Sequence, residues 1–414
     1  MANYLFSSYN ALGKIFREGA YLTDAVYGEI EGDDNADIIY RIVLGVLEKN
    51  NELDFKLSKL VDKRPKPSIA IVLKQGIYCL DYMDSLPAYA IVNNSVELAK
   101  TINKGAYTGF VNAVLKRASL DKISLPEGDD AFALSVRYGY SEWAINKIIK
   151  EYGKPEGIKI ISAKKRAGTH VRVNDLIYSD KQFEIDLKNE GYDFEKTETG
   201  YYVTINPLLK KLFIEGRVTY QALTSTYSAL ALDVKDGQKV LDVCSAPGGK
   251  AVFVAEKNPS AQVVASDIHP HRVQLIGAYA RRMHLKNVTP TLADGTVFNR
   301  EWENSFDRVL LDVPCSAMGV VRKQPDVLLN RSEKDIASLV KTQSAILENS
   351  AKYVKKGGLL VYSTCTIFKE ENDGVVENFL KNNDEFENYP SKYDGQYLPC
   401  DVHDGFYIRR LRRK

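Results

Sequence analysis

Cysteine is scarce, with five in 414 residues, and no two form a Cys-x-x-Cys pair. That excludes a disulfide framework and a zinc-ligand set. The five histidines follow no metal spacing either. His269, His271 and His284 are read as ordinary surface or core imidazoles, and no metal is expected. No apolar run reaches the length of about 20 residues that spans a bilayer. The segment Met1-Ala2-Asn3-Tyr4-Leu5-Phe6-Ser7-Ser8 lacks a basic stretch before an apolar core, so no secretion signal is expected. Charge of one sign is also missing. A net charge of +2 neither demands nor excludes nucleic acid, so any RNA affinity has to come from local basic patches. What remains is 44% hydrophobic and 27% charged, the balance of a folded protein rather than a disordered one. The length suits two or three domains. Reactive thiols imply a reducing compartment, and a cytoplasmic protein is expected.

The chemistry begins at Lys239-Val240-Leu241-Asp242-Val243-Cys244-Ser245-Ala246-Pro247-Gly248-Gly249-Lys250. Val240 to Val243 reads as a short buried strand. Pro247 and the two glycines end it, since Pro lacks an N–H and Gly permits positive φ. Lys250 to Glu256 resumes at helical spacing. Strand, glycine turn and helix make the first half of a nucleotide-binding βαβ unit, with a helix N-terminus facing the ligand. A phosphate-binding loop would need Gly at 244 and Ser or Thr at 251, where Cys244 and Ala251 stand. The dinucleotide pattern G-x-G-x-x-G is absent too. A second strand, Gln262 to Ser266, ends in Asp267, the place where such folds bind ribose hydroxyls. A third, Val288 to Leu292, runs into Asp294. A ligand with a ribose and a base but no phosphates fits, and S-adenosylmethionine is the economical choice. From these strands alone, a plain α/β sheet with acids at its strand ends stays open.

Two further strands decide more. Phe306 to Val313 runs into Pro314-Cys315-Ser316, and Gly358 to Thr364 runs into Cys365-Thr366. Both thiols therefore lie just past carboxyl ends of strands, where an open α/β sheet binds ligands. One such cysteine would read as a small buried side chain. Two beside a methyl-donor site suggest covalent methyl transfer. Carbon 5 of cytosine is too electron-poor to attack a methyl sulfonium unaided, and a thiolate adding at C6 makes it nucleophilic.

On these residues, on Glu370-Glu371-Asn372 and on Asp404-Gly405-Phe406-Tyr407, residues 239–414 resemble the Sun-type RNA cytosine-5 methyltransferases. The whole chain is similar to the bacterial small-subunit (16S) rRNA branch of that family. The resemblance implies that Cys365 is the nucleophile, since the RNA enzymes use the cysteine of a Thr-Cys motif and DNA cytosine methyltransferases the one after Pro. It implies that Cys315 assists release of methylated RNA, and that Asp312 bonds the amine and N3 edge of the base. Lys250 would hold the cytosine or order the glycine turn. Cys244, Ser245, Ala246, Pro247, Gly248, Gly249, Lys250, Asp267, Asp294 and Asp312 would form the S-adenosylmethionine pocket, Asp267 on the ribose and Asp294 on the adenine amine. The implied partner is RNA, 16S rRNA as a free or partly assembled precursor, bound by a monomer with no membrane. Alternatives are another RNA, DNA, or a non-catalytic assembly factor. The chain departs from the family at Gln221-Ala222, where Gln-Asp is usual, at Lys369 in place of Pro, and at Ser245 in place of Ala.

The expected fold is multidomain. Residues 1–120 read as an all-helical bundle, with Ile38 to Leu47, Ile69 to Leu73, Ala90 to Ile102 and Gly109 to Ala118 at helical spacing and Pro65, Pro67 and Pro87 as punctuation. By resemblance, carried by Leu86-Pro87-Ala88 and Val92 to Lys100, this is a NusB-like RNA-binding domain; a packing or protein-interaction module stays open. Leu120 to Asp130 reads as a linker. Residues 121–215 are expected to be a small α+β domain, alternating helix and strand over 131–215, with Ser141 capping a helix; by resemblance it faces the RNA. Its Lys164, Lys165, Arg166 and Arg172 are candidate phosphate contacts. Residues 216–414 form the Rossmann-like α/β catalytic domain. The basic tail Arg409 to Lys414 is readable as a simple solubilising end.

Overall fold

The computed structural model describes residues 3–414. It divides into two compact units, one running to Ser162 with the segment Val321–Glu333 added, the other comprising Ala163–Val320 and Lys334–Lys414. No helix among the described residues is long and apolar enough to cross a membrane.

The first unit is helical throughout: α1 (Asn3–Glu18), α2 (Leu22–Ile30), α3 (Ala36–Glu48), α4 (Asn50–Leu60), α5 (Pro67–Tyr82), α6 (Ala88–Asn103), α7 (Thr108–Leu120), α8 (Ala131–Tyr138), α9 (Glu142–Tyr152) and α10 (Lys154–Ser162). Apolar side chains at helical spacing on α1, α3, α5 and α7, among them Leu12, Ile42, Val46, Val72 and Leu115, are fully buried in one core. Gly45 lets α3 approach α5, because a Cβ there would lie 2.0 Å from the Tyr78 ring. Pro67 opens α5 and Pro87 precedes α6. The expected domain of alternating helix and strand over 121–215 is corrected here. Residues 131–162 are three helices grouped with this unit, and the first strand begins only at Thr169. Ser141 does stand before α9 with extended backbone, but its hydroxyl makes no capping bond.

The second unit opens with a four-stranded antiparallel sheet of β1 (Thr169–Val173), β2 (Phe194–Lys196), β3 (Tyr201–Val203) and β4 (Val218–Tyr220), in the order β2-β3-β1-β4. It carries α11 (Asp180–Asn189) and α12 (Pro207–Ile214) around Val171, Phe183 and Tyr201. There follow α13 (Leu223–Ala231), β5 (Lys239–Asp242), α14 (Gly249–Lys257), β6 (Gln262–Asp267), α15 (Pro270–Arg282), β7 (Val288–Leu292) and β8 (Phe306–Asp312). The chain then passes through α16 (Val327–Asn330), in the segment that groups with the first unit, where Asp326 accepts a bond from Leu22 N at 3.2 Å. It returns as α17 (Glu333–Ala351), β9 (Val354–Thr364), α18 (Asp373–Asn382), β10 (Phe386–Asn388), β11 (Gly395–Tyr397) and β12 (Phe406–Arg413).

The large sheet runs β10-β12-β9-β8-β5-β6-β7, with β11 on β12. Its five strands from β9 to β7 are parallel, and β12 is antiparallel to β9. Strand order reverses between β5 and β8, the crevice where doubly wound sheets bind ligands. The basic tail is no loose end: Arg409 to Arg412 pair with β9, and Arg409, Arg412 and Arg413 are bonded to Asp373, Glu387 and Glu385.

Arg172 overturns one expectation. It lies in β1, between two partner strands, with 1% of its surface exposed. Its guanidinium donates to Gln221 Oε1 at 2.7 Å and to both Glu256 oxygens at 3.1 and 2.9 Å, and stacks 4.3 Å from the Phe253 ring centre. A strand flanked on both sides and covered by α14 leaves no phosphate a route to it; Arg172 ties the small sheet to the helix of the glycine turn. Removing it strands Glu256 without its partner in a dry interior. Arg172→Ala should therefore cost about 3–5 kcal/mol of stability by chemical denaturation. A loss below about 1 kcal/mol, the level of a surface pair, would contradict this placement.

Candidate active site

The β5–α14 turn is drawn tight by Ser245 N donating to Ser266 O at 2.8 Å and Gly248 N to Ser245 O at 2.7 Å. Gly248 takes φ +108°, and a Cβ there would press on the Ile276 backbone at 3.3 Å, so glycine is required. Asp242 is 1% exposed beneath the turn. Its Oδ2 accepts from Ser245 Oγ at 2.9 Å, while Oδ1 has no partner. Burial raises its pKa to about 7, against the pull of Ser245 and Lys250. Ala222, where the family pattern has an acid, stands before α13 and offers it no side-chain cap.

At the tip of β6, Asp267 Oδ1 accepts from His269 N at 3.1 Å, and Arg272 lies 3.4 Å from Oδ2. The same Arg272 donates to Ala246 O at 3.0 Å, joining the β6 tip to the glycine turn. Past β7, Asp294 Oδ1 accepts from Thr296 N at 2.8 Å and Oγ1 at 2.7 Å. A cavity of about 420 Å³ opens here, lined by Cys244, Ala246, Asp267, Ile268, Asp294, Asp312, Cys315 and Cys365 among others. Of the expected pocket residues, Ser245, Pro247, Gly248, Gly249 and Lys250 are not in its lining; they build the turn behind it. Among the described residues no cluster could hold a metal ion.

The lining tests the expected cofactor. Three carboxylates, Asp267, Asp294 and Asp312, repel phosphates but suit hydroxyl and amine donors and a positively charged sulfonium. Ile268, half exposed, offers an apolar face for a base. The size falls in the usual range for small-molecule sites, about 300–1,000 Å³. The residues present fit S-adenosylmethionine.

β8 and β9 bring the thiols to the same cavity. Their parallel register pairs Asp312 with Ser363, and the loops beyond place Cys315 Sγ 3.1 Å from Cys365 Sγ. Neither is in a disulfide. Cys315 is buried and Cys365 partly open. The bond to Cys365, burial and the nearby Glu371 charge hold the Cys315 pKa well above the ordinary thiol value. Two adjacent sulfurs cannot both ionise at little cost, and Cys315 is the one whose surroundings hold its proton in place. Asp312 is fixed on both sides: Oδ2 accepts from Lys250 Nζ at 2.6 Å and Oδ1 from Ser363 Oγ at 3.1 Å. The Lys250 ammonium also lies 5.4 Å from the Phe406 ring centre.

Lys164 and Lys165 lie exposed in the loop before β1, whereas Arg166 is bonded to Glu195 and sits 4.3 Å from the Tyr202 ring centre. Sequence reasoning gave no role to Ser363, Arg272 or Phe406. Ser363 had a signal: it precedes Thr364-Cys365 at the end of an expected strand. Arg272 had none, since arginine in a helix's first turn is ordinary.

Comparison with known proteins now decides the family. Residues 229–412 match the model described as 16S rRNA methyltransferase RsmB/F, and residues 9–120 match the NusB family. The Bacillus subtilis protein named "Probable ribosomal RNA small subunit methyltransferase B" is 32% identical, covering 98% of this chain and 97% of that one. The Photorhabdus laumondii ribosomal RNA small subunit methyltransferase B is also 32% identical, covering 92% and 91%. This chain belongs to the RsmB/F family of methyltransferases. The family is S-adenosylmethionine-dependent, in keeping with the acid-lined cavity. The crystal structure of PH0851 shares the fold, with a TM-score of 0.85 and 23% identity over 99% of this chain and 98% of that one.

Asp242 makes stability depend on pH. Its folded pKa of about 7 lies above the unfolded value of about 3.9. The unfolded chain then releases its proton first, and stability falls as pH rises from about 4 to about 7. Asp242→Asn removes the titration, so its stability relative to wild type should rise by about 2–3 kcal/mol between pH 5 and pH 8. A pH-independent difference in denaturation midpoint would show that burial of this carboxyl has no such effect.

Proposed function

We propose that this protein transfers a methyl group to C5 of a cytosine in small-subunit (16S) rRNA through a covalent bond between Cys365 and C6. The supporting observation is two sulfurs 3.1 Å apart at the edge of an acid-lined cavity. The relatives' names, each an rRNA small subunit methyltransferase, and the NusB match favour rRNA as substrate. When bound, S-adenosylmethionine supplies an electrophilic methyl group, and Cys244, Ala246, Asp267 and Asp294 are placed to hold it.

The target base has to leave its stack to reach a thiol at the strand ends, which favours a loop or single-stranded segment. Asp312, held by Lys250 and Ser363, is a fixed carboxylate beside the thiols that can accept a bond from the cytosine amine. Lys250 keeps that carboxylate aimed. The Cys365 thiolate adds at C6, and the ring electrons it displaces make C5 nucleophilic. Once bonded to carbon, the Cys365 sulfur carries no charge, which removes the largest cause holding the proton on Cys315. That sulfur then sheds its proton to solvent and accepts the one on methylated C5. The C6–S bond breaks, and Cys365 leaves as thiolate.

The two cysteines should fail differently. Cys365→Ala abolishes methylation of a 16S transcript and forms no RNA adduct. Cys315→Ala slows turnover at least about 100-fold, within the span of general acid–base contributions, and accumulates a denaturation-resistant protein–RNA complex on a gel. Activity surviving in Cys365→Ala but not in Cys315→Ala would reverse the assignment.

A further inference from the structure

Two adjacent side chains outside the cavity, one of them acting partly through Gln343, hold the residues on either side of both cysteines. Glu371 and Asn372 are each 0% exposed. The Glu371 carboxylate accepts from Ser316 N at 2.9 Å, from Ser316 Oγ at 2.5 Å and from Gln343 Nε2 at 3.0 Å. That same Gln343 amide donates to Pro314 O at 2.9 Å. Pro314 and Ser316, the neighbours of Cys315, are thus fixed by one carboxylate and one amide. Asn372 does the same for Cys365: its Oδ1 accepts from Thr364 Oγ1 at 2.6 Å, and its Nδ2 donates to Thr366 O at 3.1 Å. The halves are joined where Ser316 Oγ and Thr366 Oγ1 meet at 2.7 Å.

From this juxtaposition we infer that Glu371 and Asn372 are a positioning pair that sets the sulfur–sulfur separation, with Glu371 governing release of methylated RNA and Asn372 governing its capture. The inference rests on the roles given above to Cys365 and Cys315. Neither residue lines the cavity, so neither touches the reacting atoms. A carboxylate is a costly group to bury at this depth, and apolar packing would fill the space more cheaply. What apolar packing cannot supply is two acceptor contacts aimed at Ser316 and a third that holds Gln343 against Pro314. Loss of Glu371 takes two bonds from Ser316 and loosens the Cys315 loop, while Asn372 still holds Thr364 and the Thr366 carbonyl. Addition then proceeds while elimination stalls.

The test uses the full chain, a 16S transcript and tritiated S-adenosylmethionine, with wild type, Cys315→Ala, Glu371→Ala and Glu371→Gln side by side. Glu371→Ala should lose about 10–100-fold in turnover, the equivalent of one or two charge-assisted hydrogen bonds. Its KM for S-adenosylmethionine should stay within about threefold, and its trapped RNA adduct should approach that of Cys315→Ala. Glu371→Gln should lie between, because its amide oxygen still accepts from Ser316 N and Gln343 while its NH2 donates to Ser316 Oγ. It also carries the test if the alanine variant does not fold. Adduct at the wild-type level in Glu371→Gln and in any folded Glu371→Ala, while Cys315→Ala traps normally, overturns the positioning role alone. No trapping in Cys315→Ala itself overturns the underlying reading of the thiols.

Discussion

The parallel ladder between β8 and β9 is the constraint on which the site depends. By pairing Asp312 with Ser363 it sets the ends of two strands level. The loops that follow are short: Cys315 comes three residues after Asp312, and Cys365 two after Ser363. Two thiols 50 positions apart in the chain therefore meet at van der Waals range or closer. The same pairing puts the Ser363 hydroxyl on the Asp312 carboxylate. A slip of one residue would turn alternate side chains to the opposite face of the sheet and separate sulfur from carboxylate. The hydrophobic strands on both sides, with Leu241, Val309, Leu310, Leu360 and Val361 fully buried, make such a slip prohibitive.

Electrostatics then divides the labour within a small space. The carboxylates around the cavity are not equivalent. Asp312 is paired with Lys250 and partly open, so one side of its carboxylate faces the cavity. Asp267 is tied to Arg272 at the strand tip. Asp242 is sealed under the glycine turn and shifted upward by burial, so it belongs to the turn's structure. The thiols are likewise unequal. Cys315 is deep and keeps its proton, while Cys365 is partly open on the cavity side. Two chemically identical side chains thus differ through their depth and through the groups beside them.

Much of this was legible in the sequence because strands of a doubly wound sheet announce themselves as apolar runs ending in small or acidic residues. Val288–Leu292 agrees to the residue, and the other four strands expected in the parallel part of the sheet to within a few positions, whereas β10, β11 and β12 were not expected. The thiols, Asp312 and the acids at 267 and 294 were readable as residues at strand ends, and the structure gathers them in one cavity. What was not legible has physical causes. Arg172 looked like a phosphate contact because a charge in a strand gives no sign of whether its face is covered; only Glu256 and Phe253, about 80 positions on, reveal that it is. Helices α8 to α10 carry no mark of the unit they join. The arginines of the tail read as solubilising because their carboxylate partners lie on α18, on β10 and just before it, distant from any local pattern. Glu371 and Asn372 were visible as part of a motif, but the bonds that give them purpose cross between loops.

The central claim is that Cys365, and not its neighbour, bonds to the pyrimidine. A 16S transcript carrying 5-fluorocytosine tests this directly in the unmodified protein, because fluorine at C5 cannot leave as a proton and elimination is blocked. After incubation with S-adenosylmethionine, digestion and mass spectrometry locate the modified peptide. The expected product is a methylated fluoropyrimidine on the peptide containing Cys365. The same mass on the peptide containing Cys315, or no adduct on either while ordinary transcript is methylated, would contradict it.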